Sequence, residues 1–349
     1  MVGGVTDQDR RSQLLAVKLR ALVGDHVGRS IDAETELFPH GAALVDDGAA
    51  WVLFDGDVTN SLGAALVWAI RRDVDELHLI GDHRTGDLAR RAAGFSLPVH
   101  VWYAEGRSLL PAIAVPLAPP PGASPDHLAL VELIEQAGAT PNVEHGVVVG
   151  EVRGLEVCRV VDQPTTGFFD EALELEQLAA RHDPGGVRLE VGVGAADREA
   201  FQLLHGEVPT LEALADVVRA VESHRTVGSP QHPLNRLGIE RLLRWHAEQD
   251  PSLVGLESLA PAEPPLPRRN LKDPTPCVGR GRDAAGTEVT VVFTSGVDLD
   301  ALPYVVDVQS TAPGPVKLAL PQRDRLPVVE RLAALLVEPV EIVALDVST

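Results

Sequence analysis

Short apolar runs alternating with helical ones at both ends of the chain constrain its fold more than any other feature. From Gly41 the sequence reads as a hairpin, Ala42–Val45 and Trp51–Phe54 around the turn Asp46-Asp47-Gly48. A helix over Ser61–Arg72, a strand over Glu76–Ile80, a helix over Thr85–Phe95 and a strand over Val99–Tyr103 follow. The same order returns about 240 residues later, a separation that marks an internal repeat. There it runs as strand Val289–Phe293, helix Leu299–Val308, strand Val316–Leu320, helix Pro327–Leu336 and strand Val340–Leu345. Arg91 matches Arg331 and Ala93 matches Ala333. Strands that alternate with helices pair in parallel and are covered by those helices. The predicted class is α/β, with two related βαβαβ modules flanking a central α+β domain with a helical tail.

Proline-rich joints at Pro111–Pro125 and Pro261–Pro276 set the domain boundaries. They predict an N-terminal α/β module over 1–118, a central domain over 119–260 and a C-terminal α/β module over 261–349. A chain of 349 residues exceeds what one hydrophobic core normally serves. An amphipathic helix is expected before the first module, with Leu14, Leu15, Val17, Leu19, Leu22 and Val23 on its apolar face. The central domain reads as helix His127–Ala137, strands Gly146–Glu151 and Leu155–Val161, helix Phe168–His182, strand Val187–Val193, and helices from Asp197, Leu211 and Leu234.

Charge and composition exclude several functions. The net charge of −21 opposes nonspecific binding to nucleic acid, which needs clustered cations to displace counterions from phosphates. The middle domain is the most acid-rich part. Lysine occurs only at Lys18, Lys272 and Lys317, and no GxxxxGK[ST] phosphate loop is present, which excludes a standard P-loop NTPase. Cys158 and Cys277 are too few and too far apart for a disulfide framework or a cysteine zinc site. Without an apolar run long enough to cross a bilayer, and with a polar N-terminus, the expectation is a cytoplasmic protein with no membrane partner. A homo-oligomer is left open.

Several residue groups could carry chemistry. Glu151 and Glu156 lie on the two central strands, and Glu190 interrupts the apolar strand before Gly192-Val193-Gly194. Strand alternation places Glu151 and Glu156 opposite the apolar face, toward solvent, whereas Glu190 needs a partner such as Arg198 or Arg236. The run Gly192-x-Gly194-x-x-Asp197 ends a strand and opens a helix, so its amides could cradle an anion, with Asp197 as the simpler N-cap. The helix carrying Arg236, Arg241 and Arg244 is the one locally basic segment of the acidic domain. With Asn235 and His205 it could clamp a phosphate or carboxylate, or its arginines could neutralise neighbouring carboxylates. Asp55 and Asp57 in the first module, and Asp298 and Asp300 in the last, occupy matched loops after the first strand of each repeat. Such loops bind ligands in open α/β sheets, and aspartates there also cap helices. Asp82-His83-Arg84 and Gln322-Arg323-Asp324 follow the second strand of each copy and could join the same pockets.

The order of central elements, with Gly150-Glu151-Val152-Arg153-Gly154-Leu155-Glu156-Val157 and Arg188-Leu189-Glu190-Val191-Gly192-Val193, resembles the PD-(D/E)XK nuclease-like fold over about a third of the chain. That resemblance implies Glu151 or Glu156 as the first catalytic carboxylate, with Glu156 and Glu190 as candidate ligands of a magnesium or manganese ion that activates water. The lysine of the family's ExK triplet is missing, since Gly192 stands in its place. The expectation is therefore a degenerate fold that binds a small anionic or nucleotide-like ligand or acts in assembly. A metal-dependent nuclease or phosphodiesterase and a structural interaction protein are the alternatives.

Overall fold

A computed structural model describes residues 7–56, 61–162, 186–204, 210–225, 232–268, 275–312 and 314–346. The protein is α/β, with sheets of six, four and five strands. The chain divides into two compact units. One comprises residues 1–118, 297–313 and 325–341; the other comprises 119–296, 314–324 and 342–349. The first boundary, between residues 118 and 119, falls within the proline-rich joint Pro111–Pro125. Residues of the last segment are shared between the units.

The first unit is built on a six-stranded sheet in sequence order, β1 (Glu36–Phe38), β2 (Gly41–Asp46), β3 (Ala49–Phe54), β4 (Glu76–Gly81), β5 (Val99–Glu105) and β6 (Ser108–Pro111). The hairpin β2–β3 is antiparallel, and β3–β4 and β4–β5 are parallel, as the alternation with helices requires. Helix α1 (Asp7–Val27) covers one face, packing Leu19, Leu22 and Val23 against Ala42, Leu44, Trp51 and Leu53. The apolar stripe is narrower than expected: Leu15, Leu19, Leu22 and Val23 pack on the sheet, whereas Leu14 and Val17, turned off that face, are 64% and 57% exposed.

Helices α2 (Leu62–Ile70) and α3 (Thr85–Ala92) pack with β4 and β5. Two helices from the far end of the chain complete the unit. These two are α9 (Ala301–Thr311) and α10 (Pro327–Ala333). The turns after α3 and α10 pair reciprocally: the Ser96 amide donates to the Leu335 carbonyl at 2.7 Å, and the Val337 amide donates to the Gly94 carbonyl at 2.9 Å.

The second unit holds the other two sheets. The four-stranded sheet is wholly antiparallel in the order β10 (Val187–Val191), β9 (Leu155–Asp162), β8 (Val147–Val152), β7 (Thr140–Glu144). Strand β7 was not expected, because Thr140-Pro141-Asn142 is polar and proline-broken; it is an edge strand, where proline is tolerated. Short helices α4 (Pro125–Leu128) and α5 (Val131–Gln136) replace the single expected helix. With α7 (Thr210–His224), α5 buries Ile134, Leu214 and Val218 against Val148, Leu155 and Val157. Helix α6 is Ala195–Leu204. The expected helix at 168–182 lies outside the described residues.

The five-stranded sheet runs β11 (Ser258–Ala262), β12 (Cys277–Arg282), β13 (Glu288–Phe293), β14 (Val316–Pro321) and β15 (Glu341–Leu345). Its first four strands pair antiparallel, antiparallel and parallel, the same sequence of directions as β1 to β4. Strands β11 and β12 escape a sequence reading because Pro261, Gly279 and Gly281 interrupt them. Gly281 is required by close approach, since a Cβ there would stand 1.8 Å from the Ser258 carbonyl oxygen. Helix α8 (Ile239–Gln249) places Leu243 and Ala247 on this sheet beside Val289, Val291 and Phe293. Among the described residues, no helix is long and apolar enough to cross a membrane.

Candidate functional site

The central carboxylates do not face solvent. Both faces of β8 are covered, and Glu151 is 6% and Glu156 5% exposed. Alternation misplaced them because it presumes one bare face; here α8 lies over the second. Arg241 and Arg244 project from α8 onto Glu151, at 2.6 Å and 2.8 Å. Arg241 also pairs with Glu144, and Arg244 with Glu248 at 2.9 Å. Charge attraction from Arg244 and Arg241 outweighs burial and holds the Glu151 carboxyl below its usual range. Arg241 is raised by Glu151 and Glu144 against the opposing effect of burial.

A third buried arginine, Arg225, holds the segment that leads into α8. Arg225 donates to the carbonyls of Arg153 at 2.8 Å, Leu234 at 2.6 Å, Leu237 at 2.9 Å and Gly238 at 2.9 Å. It ties the 3-10 turn Pro233–Arg236 and the start of α8 to the β8–β9 hairpin. Burial lowers its pKa to about 10, which leaves it charged at neutral pH.

Glu156 takes the Arg159 guanidinium at 2.9 Å and Arg198 at 3.0 Å. Glu190 takes Arg188 at 2.7 Å and Arg198 at 3.5 Å, so Arg198 is the partner that its strand position called for. The possible anion cradle before α6 is occupied by its own chain, since the Val193 amide donates to Asp197 at 2.6 Å.

The expected ligand residues are dispersed. Arg241 and Arg244 are committed to carboxylates, the Asn235 amide donates to the His224 carbonyl at 3.1 Å, and Arg236 is exposed. Asp55 pairs with Arg11, while Asp57 and His205 lie outside the described residues. Asp298 accepts from the Asp300 amide at 3.0 Å, and Asp300 accepts from the Gly63 amide at 3.1 Å. Both are therefore backbone caps at helix starts. Burial raises both carboxyls, Asp300 to about 6. Asp324 accepts from the Gly296 amide at 2.7 Å. Cys158 and Cys277 are buried and free, and burial pushes both thiols up to about 12, which leaves them inert.

A group that the sequence reading passed over lies in the first unit. Glu76 and His78 on β4 and His100 on β5 share the sheet face covered by α1, and His78 and His100 stand directly opposite in register. The Nε2 of His78 lies 3.1 Å from one Glu76 oxygen, and the Nε2 of His100 lies 3.3 Å from the other. Among the described residues these three form the one group of histidine, cysteine or carboxylate side chains whose ligand atoms fall within 4.8 Å of one another. The Trp51 ring stacks on His78 at 3.8 Å between centroids, and His78 stacks on His100 at 4.8 Å. The Trp102 indole donates to His78 Nδ1 at 3.0 Å. Burial lowers the pKa of His78, against the opposing pull of Glu76. The signal was present as two polar residues, Glu76 and His78, at every second position of an otherwise apolar strand. No family model, curated protein or solved structure matches this chain.

Proposed function

We propose that this chain acts by binding, as a noncatalytic ligand-binding or assembly protein whose central sheet is a charged scaffold. The pairing of its central carboxylates carries the reading. Each of Glu151, Glu156 and Glu190 faces two guanidinium groups. A phosphodiester-cutting site of the nuclease type needs carboxylate oxygens that converge on a divalent cation and a lysine beside them. Here arginines hold those oxygens, and Gly192 stands at the lysine's place. A cation would have to displace guanidiniums that already satisfy these oxygens.

The two ends of the chain support an assembly role. The terminal sheets repeat one order of strand directions, and the turns after α3 and α10 pair reciprocally, as expected of an internal duplication. Incubation of the purified protein with single- and double-stranded DNA and RNA in magnesium or manganese tests the reading. It predicts no cleavage above that of a Glu190→Ala variant; metal-dependent cleavage abolished by that substitution would overturn it.

A further inference from the structure

We propose that Glu76, His78 and His100 bind one divalent transition metal of the zinc class on the α1-covered face of the six-stranded sheet. Two imidazoles and a carboxylate are a borderline donor set that suits zinc, and three protein ligands leave a fourth position for water. Their ligand atoms already lie within 4.8 Å of one another. All three stand on paired parallel strands, whose register holds them with little freedom to spread.

The state of His78 is the second observation. Its side chain is 9% exposed, and its Nε2, although 3.1 Å from Glu76, makes no well-directed hydrogen bond. A buried nitrogen so poorly served is costly, and a cation at Nε2 would satisfy it. Glu76 and His100 have side chains 41% and 48% exposed, which gives an ion a route from solvent.

Trp102 sets the terms of binding. An indole N–H can only donate, so His78 Nδ1 accepts and the proton of the neutral ring sits on Nε2. A cation at Nε2 displaces that proton, and the neutral coordinated ring then carries it on Nδ1, facing the indole N–H. The proton changes nitrogen with no net release from His78, and the Trp102 bond must open. Metal-bound histidines ordinarily donate their second N–H to an acceptor. Trp102 does the reverse and restrains affinity.

Calorimetric titration of the full chain with zinc chloride, beside Glu76→Gln, His100→Ala, Trp102→Phe and His224→Ala variants, tests this. His224 stacks on His232 at 4.2 Å and is the control for a surface imidazole pair. The wild type and His224→Ala should each bind about one zinc per chain. Glu76→Gln and His100→Ala, whose side chains are partly exposed, should weaken binding about tenfold or more, and Trp102→Phe should tighten it about tenfold. Cobalt substituted for zinc should give the intense visible absorption of a low-coordinate site, lost in His100→Ala. Absence of binding in the wild type, undiminished binding in His100→Ala, or its loss in His224→Ala would overturn the site. Unchanged or weaker binding in Trp102→Phe would overturn the role given to the indole.

Discussion

Arg91 and Asp307, 216 residues apart in the chain, meet at 2.8 Å, with the Asp307 carboxylate fully buried. Arg90 takes the other carboxylate oxygen at 3.1 Å. One carboxylate late in the chain thus bridges two guanidiniums early in it, and Arg90 also pairs with Asp87 at 2.7 Å. Asp307→Ala removes the buried carboxylate that both guanidiniums share. The expected loss is about 3–5 kcal/mol in urea unfolding followed by circular dichroism. A loss under about 1 kcal/mol would show that solvent reaches the pair.

Gly63 opens α2 beneath the Leu299 carbonyl. A Cβ at this position would stand 2.0 Å from that oxygen. In an unconstrained helix, glycine to alanine stabilises by about 1 kcal/mol. Here the clash with backbone decides the sign, and Gly63→Ala should destabilise by about 1–3 kcal/mol, read as a lowered Tm. A raised Tm would mean that the backbone at Leu299 yields.

Asp300 supplies a pH dependence. Its carboxyl is raised from 3.8 to about 6, first by burial and then by Asp298, against the hydrogen bond from the Gly63 amide. Between those two values the folded chain holds a proton that the unfolded chain has released. The group's contribution to stability is therefore full below the lower value and is lost as pH rises through about 6. Asparagine keeps the acceptor oxygen and removes the ionisation. Asp300→Asn should match the wild type near pH 4 and exceed it by on the order of 2 kcal/mol near pH 8, measured by denaturant unfolding. A difference that does not change with pH would contradict the assignment.

Much of the fold was legible because β3 is a wholly apolar run, β4, β13 and β14 are largely apolar, and helices alternate with them. The missed strands are those whose own residues carry no apolar run. β7 and β11 are edge strands carrying proline, and β12 carries two glycines, of which Gly281 is demanded by the backbone of its neighbour. The site was less legible. Glu151 reads as a surface residue until α8 is placed over it, about 90 residues later in the chain. The arginines of α8 read equally as an anion clamp or as partners of neighbouring carboxylates, and Glu144, Glu151 and Glu248 are those partners. Glu76, His78 and His100 come together only through the register of β4 with β5.

The central claim is that Glu156 and Glu190 serve arginines rather than a cation. Calorimetric titration with manganese, comparing the wild type with Glu190→Ala, tests it most directly. The account predicts the same heats for both proteins, because Arg188 and Arg198 hold the Glu190 carboxylate. Stoichiometric binding in the wild type that disappears in Glu190→Ala would contradict it and restore a metal-dependent phosphodiesterase as the better reading.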